Sequence, residues 1–213
     1  MKKLTISLVL VLSVIIMASC TSQKMDQKRT EKSIKKEVVQ LQKEGWNVAP
    51  GSITMELQLK ESYDLALEKD DNGFEKYIYS EATTVGETYD AAFFQATNLA
   101  KLALAGKIQT EVTTLIDNKQ ANSQLSQEQV TSLTENVAAS KILVSQKLDH
   151  GITPITMYRE LNNGHVEVRT VFYYNHEMAM DIMKQAIRED LEKKDDSQSK
   201  QLYEFLDDLW QKE

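Results

Sequence analysis

Apolar residues recur at three- and four-residue intervals along most of this 213-residue chain, and at every second position in a few short runs. The first rhythm marks one face of an amphipathic helix and the second one face of a strand. In residues 31–44, Ile34, Val38 and Leu41 share a helical face among lysines, and Gly45 ends the run. Pro50-Gly51 reads as a turn. Ser52 is the expected N-cap of a second helix through about Glu68, with Met55, Leu59, Tyr63 and Ala66 on its face. Asp70-Asp71-Asn72-Gly73 closes it, and the aromatic and β-branched run Phe74 to Ser80 predicts a strand.

Residues 88–106 predict the strongest helix, with Tyr89, Ala92, Phe93, Ala96, Leu99, Ala100 and Ala103 on one face and Gly106 as its stop. Ile108, Thr110, Val112, Thr114 and Ile116 then alternate with Gln109, Glu111, Thr113 and Leu115. This fits a half-buried strand, with a continuing helix as the alternative. Residues 117–125 are polar and expected to be loop, and Ser126 with Gln129 resembles a capping box for a helix to about Ser145. Two β-rich runs within residues 155–174 flank Asn162-Asn163-Gly164. Asn-Gly suits a type I′ hairpin, whose two central residues take positive φ. On the second run Val166, Val168, Thr170, Phe172 and Tyr174 face one way. A helix over about Glu177 to Lys193 follows, and Leu202, Phe205, Leu206, Leu209 and Trp210 form the apolar side of a final amphipathic helix.

That order predicts an α+β fold: an antiparallel sheet of about four strands with helices packed on one face, plus N- and C-terminal amphipathic helices. The expected division is a signal peptide over residues 1–19, a tether over 20–30, an N-terminal helical segment over 31–73, an α+β domain over 74–194, and a linker with the C-terminal helix over 195–213.

The start of the chain carries the most specific pattern. Met1-Lys2-Lys3 precedes an apolar stretch from Leu4 to Met17, and Ala18-Ser19 precedes Cys20, the single cysteine. About fifteen apolar residues are too few for a bilayer-spanning helix, which needs roughly 20, and suit a signal h-region of roughly 7–15. The pattern resembles the export signal of a bacterial lipoprotein, with Met17 where that class usually has Leu. The resemblance implies acylation of Cys20 with diacylglycerol and palmitate-like chains, cleavage just before it, and anchoring to a lipid bilayer. A residue other than Asp after the cysteine, here Thr21, implies the outer membrane, and the lack of an acidic cluster after it implies the periplasmic leaflet. A lone cysteine leaves no intrachain disulfide to rely on.

Removing residues 1–19 leaves 194 residues with 23 basic and 32 acidic side chains, a net charge of −9. With no long basic run, nucleic-acid binding is not expected, nor is adsorption to anionic lipid by charge. Seven Gly and two Pro mean few sharp turns and argue for much helix.

Signatures of chemistry are sparse. No G-x-G-x-x-G, P-loop or G-x-S-x-G run occurs. His176-Glu177-Met178-Ala179-Met180 begins like H-E-x-x-H, but Met180 stands where a second imidazole is required. His150 and His165 flank the hairpin and are the remaining metal candidates, though exposed histidines of this kind usually bind nothing, so no metal or other cofactor is expected. Glu189-Asp190, Asp195-Asp196 and Asp207-Asp208 are adjacent in sequence and so diverge on a helix. Arg159, Glu167 and Arg169 suit cross-strand ion pairs. Trp46 and the stripe Leu202, Phe205, Leu206, Leu209 and Trp210 either cover the domain's own core or contact a partner.

Lys76-Tyr77-Ile78-Tyr79-Ser80-Glu81-Ala82, the Ala-rich helix with Ala92, Ala96, Leu99-Ala100 and Leu104-Ala105, and then Ile108 to Val112 resemble the Lpp-twenty family of small bacterial envelope lipoproteins. Met157-Tyr158-Arg159-Glu160, Asn163-Gly164 and Glu167 to Tyr174 resemble that family's closing hairpin. The resemblance covers residues 74–185, with Asn98 and Lys101 where an arginine is usual. It implies an α+β fold and an envelope location, and supplies no catalytic residue. The expected function is therefore that of a non-enzymatic envelope lipoprotein working through contacts with an envelope protein or with itself. The alternatives are a periplasmic small-ligand carrier with a pocket near Phe93, Phe172 and Tyr174, and a hydrolase with an unrecognised site.

Overall fold

The computed structural model describes residues 30–120, 126–193, 202 and 204–207. The signal segment with Cys20, the tether, and Leu209 and Trp210 of the final stripe lie outside the described residues. The elements are α1 (residues 30–43), α2 (Met55–Leu67), β1 (Tyr77–Gly86), α3 (Tyr89–Gln120), α4 (Gln127–Lys147), β2 (Ile152–Glu160), β3 (Val166–Asn175) and α5 (His176–Glu192). A last helical segment is described at residues 202 and 204–207. The protein is thus mixed helix and strand, around an antiparallel sheet of order β1-β3-β2.

The sheet has three strands rather than about four, because residues 108–116 continue α3. Side chains at 92, 96, 100, 104, 108, 112 and 116 are all fully buried. A four-residue spacing stays on one side of a helix, and it also stays on one side of a strand, so Ile108, Val112 and Ile116 satisfy both rhythms. The intervening threonines look like strand formers. In the helix, Thr110 and Thr114 donate their hydroxyls to the carbonyls of Gly106 and Thr110 (2.9 and 2.8 Å), and Thr97 does the same to Phe93 (2.9 Å). That back-bonding lets a β-branched hydroxyl residue sit in a helix interior. Gly106 is therefore an interior helical residue and not a stop, and residues 117–120 are helical rather than loop.

The alanines of α3 let its backbone lie close to the sheet. Ser80 Oγ on β1 donates to Ala100 O (2.6 Å) and Thr84 Oγ1 to Ala92 O (2.7 Å). At the turn into α3 the approach is closest: a Cβ on Gly86 would stand 2.7 Å from the Ala92 nitrogen. Ala82, Phe172 and Tyr174 on this face join α3, Val130, Leu133, Val137 and Val144 of α4, Met183 and Ile187 of α5, and Leu202, Phe205 and Leu206 in one apolar cluster. Asp207 meets Lys184 (3.6 Å) and Arg188, fastening the last segment to α5.

Helices cover the other face as well, so the expected one-sided packing does not hold. Val171 and Tyr173 of β3 and Ile155 and Met157 of β2 pack with Ile34 and Leu41 of α1, Trp46, and Met55 and Leu59 of α2. Residues 31–73 thus share a core with the sheet. The two sheet edges are closed by different means. On β2, Tyr158 exchanges backbone hydrogen bonds with Asn47 (2.7 and 2.8 Å), and the buried Gln58 side chain accepts from Thr156 N (2.9 Å). On β1, Lys107 reaches round to donate to Tyr79 O (2.7 Å). Register slips on β2 between Ile152 and Ile155, where Pro154 has no amide hydrogen to give.

Local signals resolve as follows. The N-cap of α2 is Thr54, accepting from Leu57 N (3.3 Å), rather than Ser52, whose amide is used in the Pro50-Gly51 turn (3.0 Å to Ala49 O). The Ser126/Gln129 capping box is present at α4. Asn175 caps α5, accepting from Met178 N (2.9 Å). β1 begins at Tyr77, because Asp70 Oδ1 holds the amides of Asn72 and Phe74 (2.9 and 2.8 Å) in a turn. The hairpin turn is not type I′: only Gly164 has positive φ (+81°). Leu161 bonds His165 and Gly164 bonds Leu161, giving a three-residue loop closed by a left-handed glycine.

An interior helical glycine costs about 0.5–1 kcal/mol relative to alanine. At Gly106 a methyl would meet only the flexible end of Lys141. Gly106→Ala should therefore raise stability by about 0.5–1 kcal/mol in urea unfolding; a loss would mean that Lys141 cannot give way to the added methyl.

Candidate functional site

Of the residues read as a partner surface, the four that are described are inside the protein. Trp46 is 6% exposed, Leu202 1%, Phe205 8% and Leu206 0%. The indole of Trp46 is sealed by a cation: the Arg159 guanidinium lies 4.7 Å from the ring centroid. The same guanidinium donates to Glu167 Oε2 (2.5 Å) and to Glu44 O (3.1 Å). Arg159 thereby joins β2, β3 and the end of α1. The next pair on this face is Arg169 of β3 with Glu81 of β1, bidentate at 2.6 and 3.1 Å. The sequence alone indicated Arg159, Glu167 and Arg169 but not Glu81; strand alternation along β1 was the available signal, once β1 was known to pair with β3.

Below these ion pairs the face becomes aromatic. Tyr79 and Tyr173 stack at 4.9 Å, with Lys107 4.8 Å over the Tyr79 ring. Tyr173 donates its hydroxyl to Ser62 O (2.9 Å), with Ser62 Oγ at 3.0 Å. Burial pushes the Tyr173 phenol above its ordinary pKa, the Ser62 hydrogen bond opposing this more weakly, so it stays neutral at physiological pH.

The three residues read as a ligand pocket do not gather round one space. Phe172 and Tyr174 stack at 6.3 Å inside the α3–α4–α5 cluster, with Lys101 5.5 Å over the Phe172 ring. Phe93 belongs to a separate cluster with Ala92, Ala96 and Val168, stacked on Tyr89 at 6.0 Å. Two open surface grooves exist elsewhere, one along α1 from Glu31 to Lys43 and one along α2 from Ile53 to Glu68. Neither is lined by Phe93, Phe172 or Tyr174.

The histidines are dispersed. His150 precedes β2 with φ +61°, and His165 sits at the hairpin tip, so the length of the ladder, about 30 Å, separates them. His176 Nε2 meets both oxygens of Glu111 (2.9 and 3.0 Å), tying the start of α5 to α3. Among the described residues no group of three or more His, Cys, Asp or Glu is placed to hold a metal ion. No described helix is long and apolar enough to cross a membrane.

No protein-family model, curated protein or solved structure matches this chain. Two exposed features stand out among the described residues. One is apolar: Ile53, Leu57, Tyr63, Leu67 and Phe74 are five of the twelve large exposed hydrophobic side chains among the described residues. They concentrate on α2 and the turns beside it. The other is the lysine-rich outer side of α1.

The guanidinium over Trp46 supplies a direct check. Arg159→Ala should lower stability by about 1–2 kcal/mol, from the lost cation–π contact and ion pair. In a Trp210→Phe background it should also red-shift Trp46 emission as water reaches the ring. An unchanged spectrum would contradict the placement.

Proposed function

We propose that this chain is a non-enzymatic, membrane-anchored bacterial envelope lipoprotein of the Lpp-twenty kind, acting by contact with another envelope protein or with its own copy. The pattern from Met1 to Cys20 supports the anchor. The observation that carries the contact reading is the run of solvent-exposed apolar side chains on and beside α2: Ile53 is 49% exposed, Leu57 51%, Leu67 68% and Phe74 69%. Exposed apolar side chains grouped in one short stretch support a docking role where they form a contiguous patch. Lys60, Glu61 and Asp64 lie among them and line the same groove, so such a contact would be mixed polar and apolar.

This reading moves the contact surface from Trp46, Leu202, Phe205 and Leu206, which pack in the protein's own core, to α2. Acylated Cys20 holds the body at the bilayer, on the proposed periplasmic side of the outer membrane. The aromatic and ion-paired faces of the sheet then have a structural task, keeping α2 rigidly presented.

A photocrosslinking residue at Leu57 or Leu67, introduced in intact cells, should capture a second envelope protein or a second copy. With the crosslinking residue moved to Ile53, Leu57→Asp with Leu67→Asp should abolish capture while changing stability by less than about 1 kcal/mol, since both sites are exposed. Recovery of monomer alone from both crosslinking positions would refute the contact reading.

A further inference from the structure

Charge is distributed unevenly along the chain and on the surface of α1. Residues 20–43 hold seven basic and three acidic side chains, whereas residues 44–213 hold 16 basic and 29 acidic. The body as a whole should be repelled by an anionic surface, as its net charge implies. The leading segment should not.

The placement of those charges on α1 is ordered. Ile34 and Leu41, at 2% and 5% exposure, fix the direction of the core. At 100° per residue, Lys32, Lys36, Val39 and Lys43 fall within about 40° of the opposite direction. All four are exposed. Glu31 and Glu37 fall about 60° to either side of the core direction instead, and Glu37 accepts a hydrogen bond from Tyr63 of α2 (3.3 Å). The outermost line of α1 is therefore three lysines and one valine with no acid among them. None of the three lysines makes an ion pair among the described residues.

We propose that the Lys32–Lys36–Val39–Lys43 line of α1 is a membrane-facing surface that lies on anionic phospholipid headgroups. The occupant follows from charge complementarity and from chain length. From Cys20 to Thr30 the backbone can span at most about 35 Å, so a bilayer holding Cys20 is always within reach of α1. A tether that short raises the effective concentration of surface and helix to one another, and a basic line supplements an acyl anchor. Its attraction acts within a Debye length of about 8–10 Å, so α1 is held against the surface. The acidic remainder is directed away, and α2 is offered to the side. The geometry rests on the anchored reading above, but the helix face can be tested without the acyl chain.

The mature chain, residues 20–213 with Cys20→Ser, retains every described element. It should be sedimented with vesicles of phosphatidylcholine alone and of phosphatidylcholine with 30% phosphatidylglycerol. The expected result is a partition at least tenfold higher onto the anionic vesicles in 0.05 M salt, lost in 0.5 M salt. The triple variant Lys32→Glu, Lys36→Glu, Lys43→Glu should lose that preference while keeping its circular dichroism, and Lys60→Glu should retain it. Equal partition onto both vesicles would overturn the proposal, as would an unaffected triple variant. Retention on a soluble polyanion such as DNA without vesicle binding would overturn it too. Because this protein carries no lipid, those outcomes are independent of acylation, which is read separately from the mass of the native amino-terminal residue.

Discussion

Strand β3 is covered on both faces, and the rest of the molecule is arranged around that constraint. Val168, Phe172 and Tyr174 point toward α3, while Val171 and Tyr173 point toward α1 and α2. A three-stranded sheet exposes two edges and two faces, and a central strand that is apolar on both sides needs a helical layer on each. The N-terminal helices are for this reason part of the core. Gln58 and Asn47 then serve twice, packing with that layer and closing the outer edge of β2. Lys107 gives the β1 edge a charged guard, a common device against strand-to-strand association.

Much of the helical layout was legible because its signals are local. The Ser126/Gln129 box, the start of α5 after Asn175 and the hairpin at Gly164 each depend on a few neighbouring residues. Other features depended on distant partners. Alternation along β3 indicates the face of Val166, Val168, Thr170, Phe172 and Tyr174, but nothing local says that α1 and α2 return to cover Val171 and Tyr173 on the other. The strand expected at 108–116 failed for a different reason: four-residue spacing satisfies two periods at once, and the threonine hydroxyls find acceptors on their own helix. Trp46 and the Leu202–Leu206 stripe were legible as apolar anchors but not as to what they anchor. Burial assigns them to this chain's own core.

Function lies in what the core leaves outside. Once Trp46, Tyr173, the cross-strand ion pairs and His176 are occupied internally, two exposed features stand out among the described residues: the apolar side chains around α2 and the lysine line of α1. On the proposed reading these have complementary uses. One orients the body on a bilayer and the other presents a docking face, and the two helices are held together by the shared cluster of Ile34, Leu41, Met55 and Leu59. The strong charge contrast between residues 20–43 and the remainder gives the orientation a sign.

The dependence of both helical layers on one doubly covered strand is tested most directly by native-state hydrogen exchange. The amides of Val168, Thr170 and Phe172 should exchange only through global opening, with one free energy shared by Leu59 in α2 and Leu104 in α3. Release of α1 and α2 at much lower free energy, with β3 and α3 still protected, would contradict it.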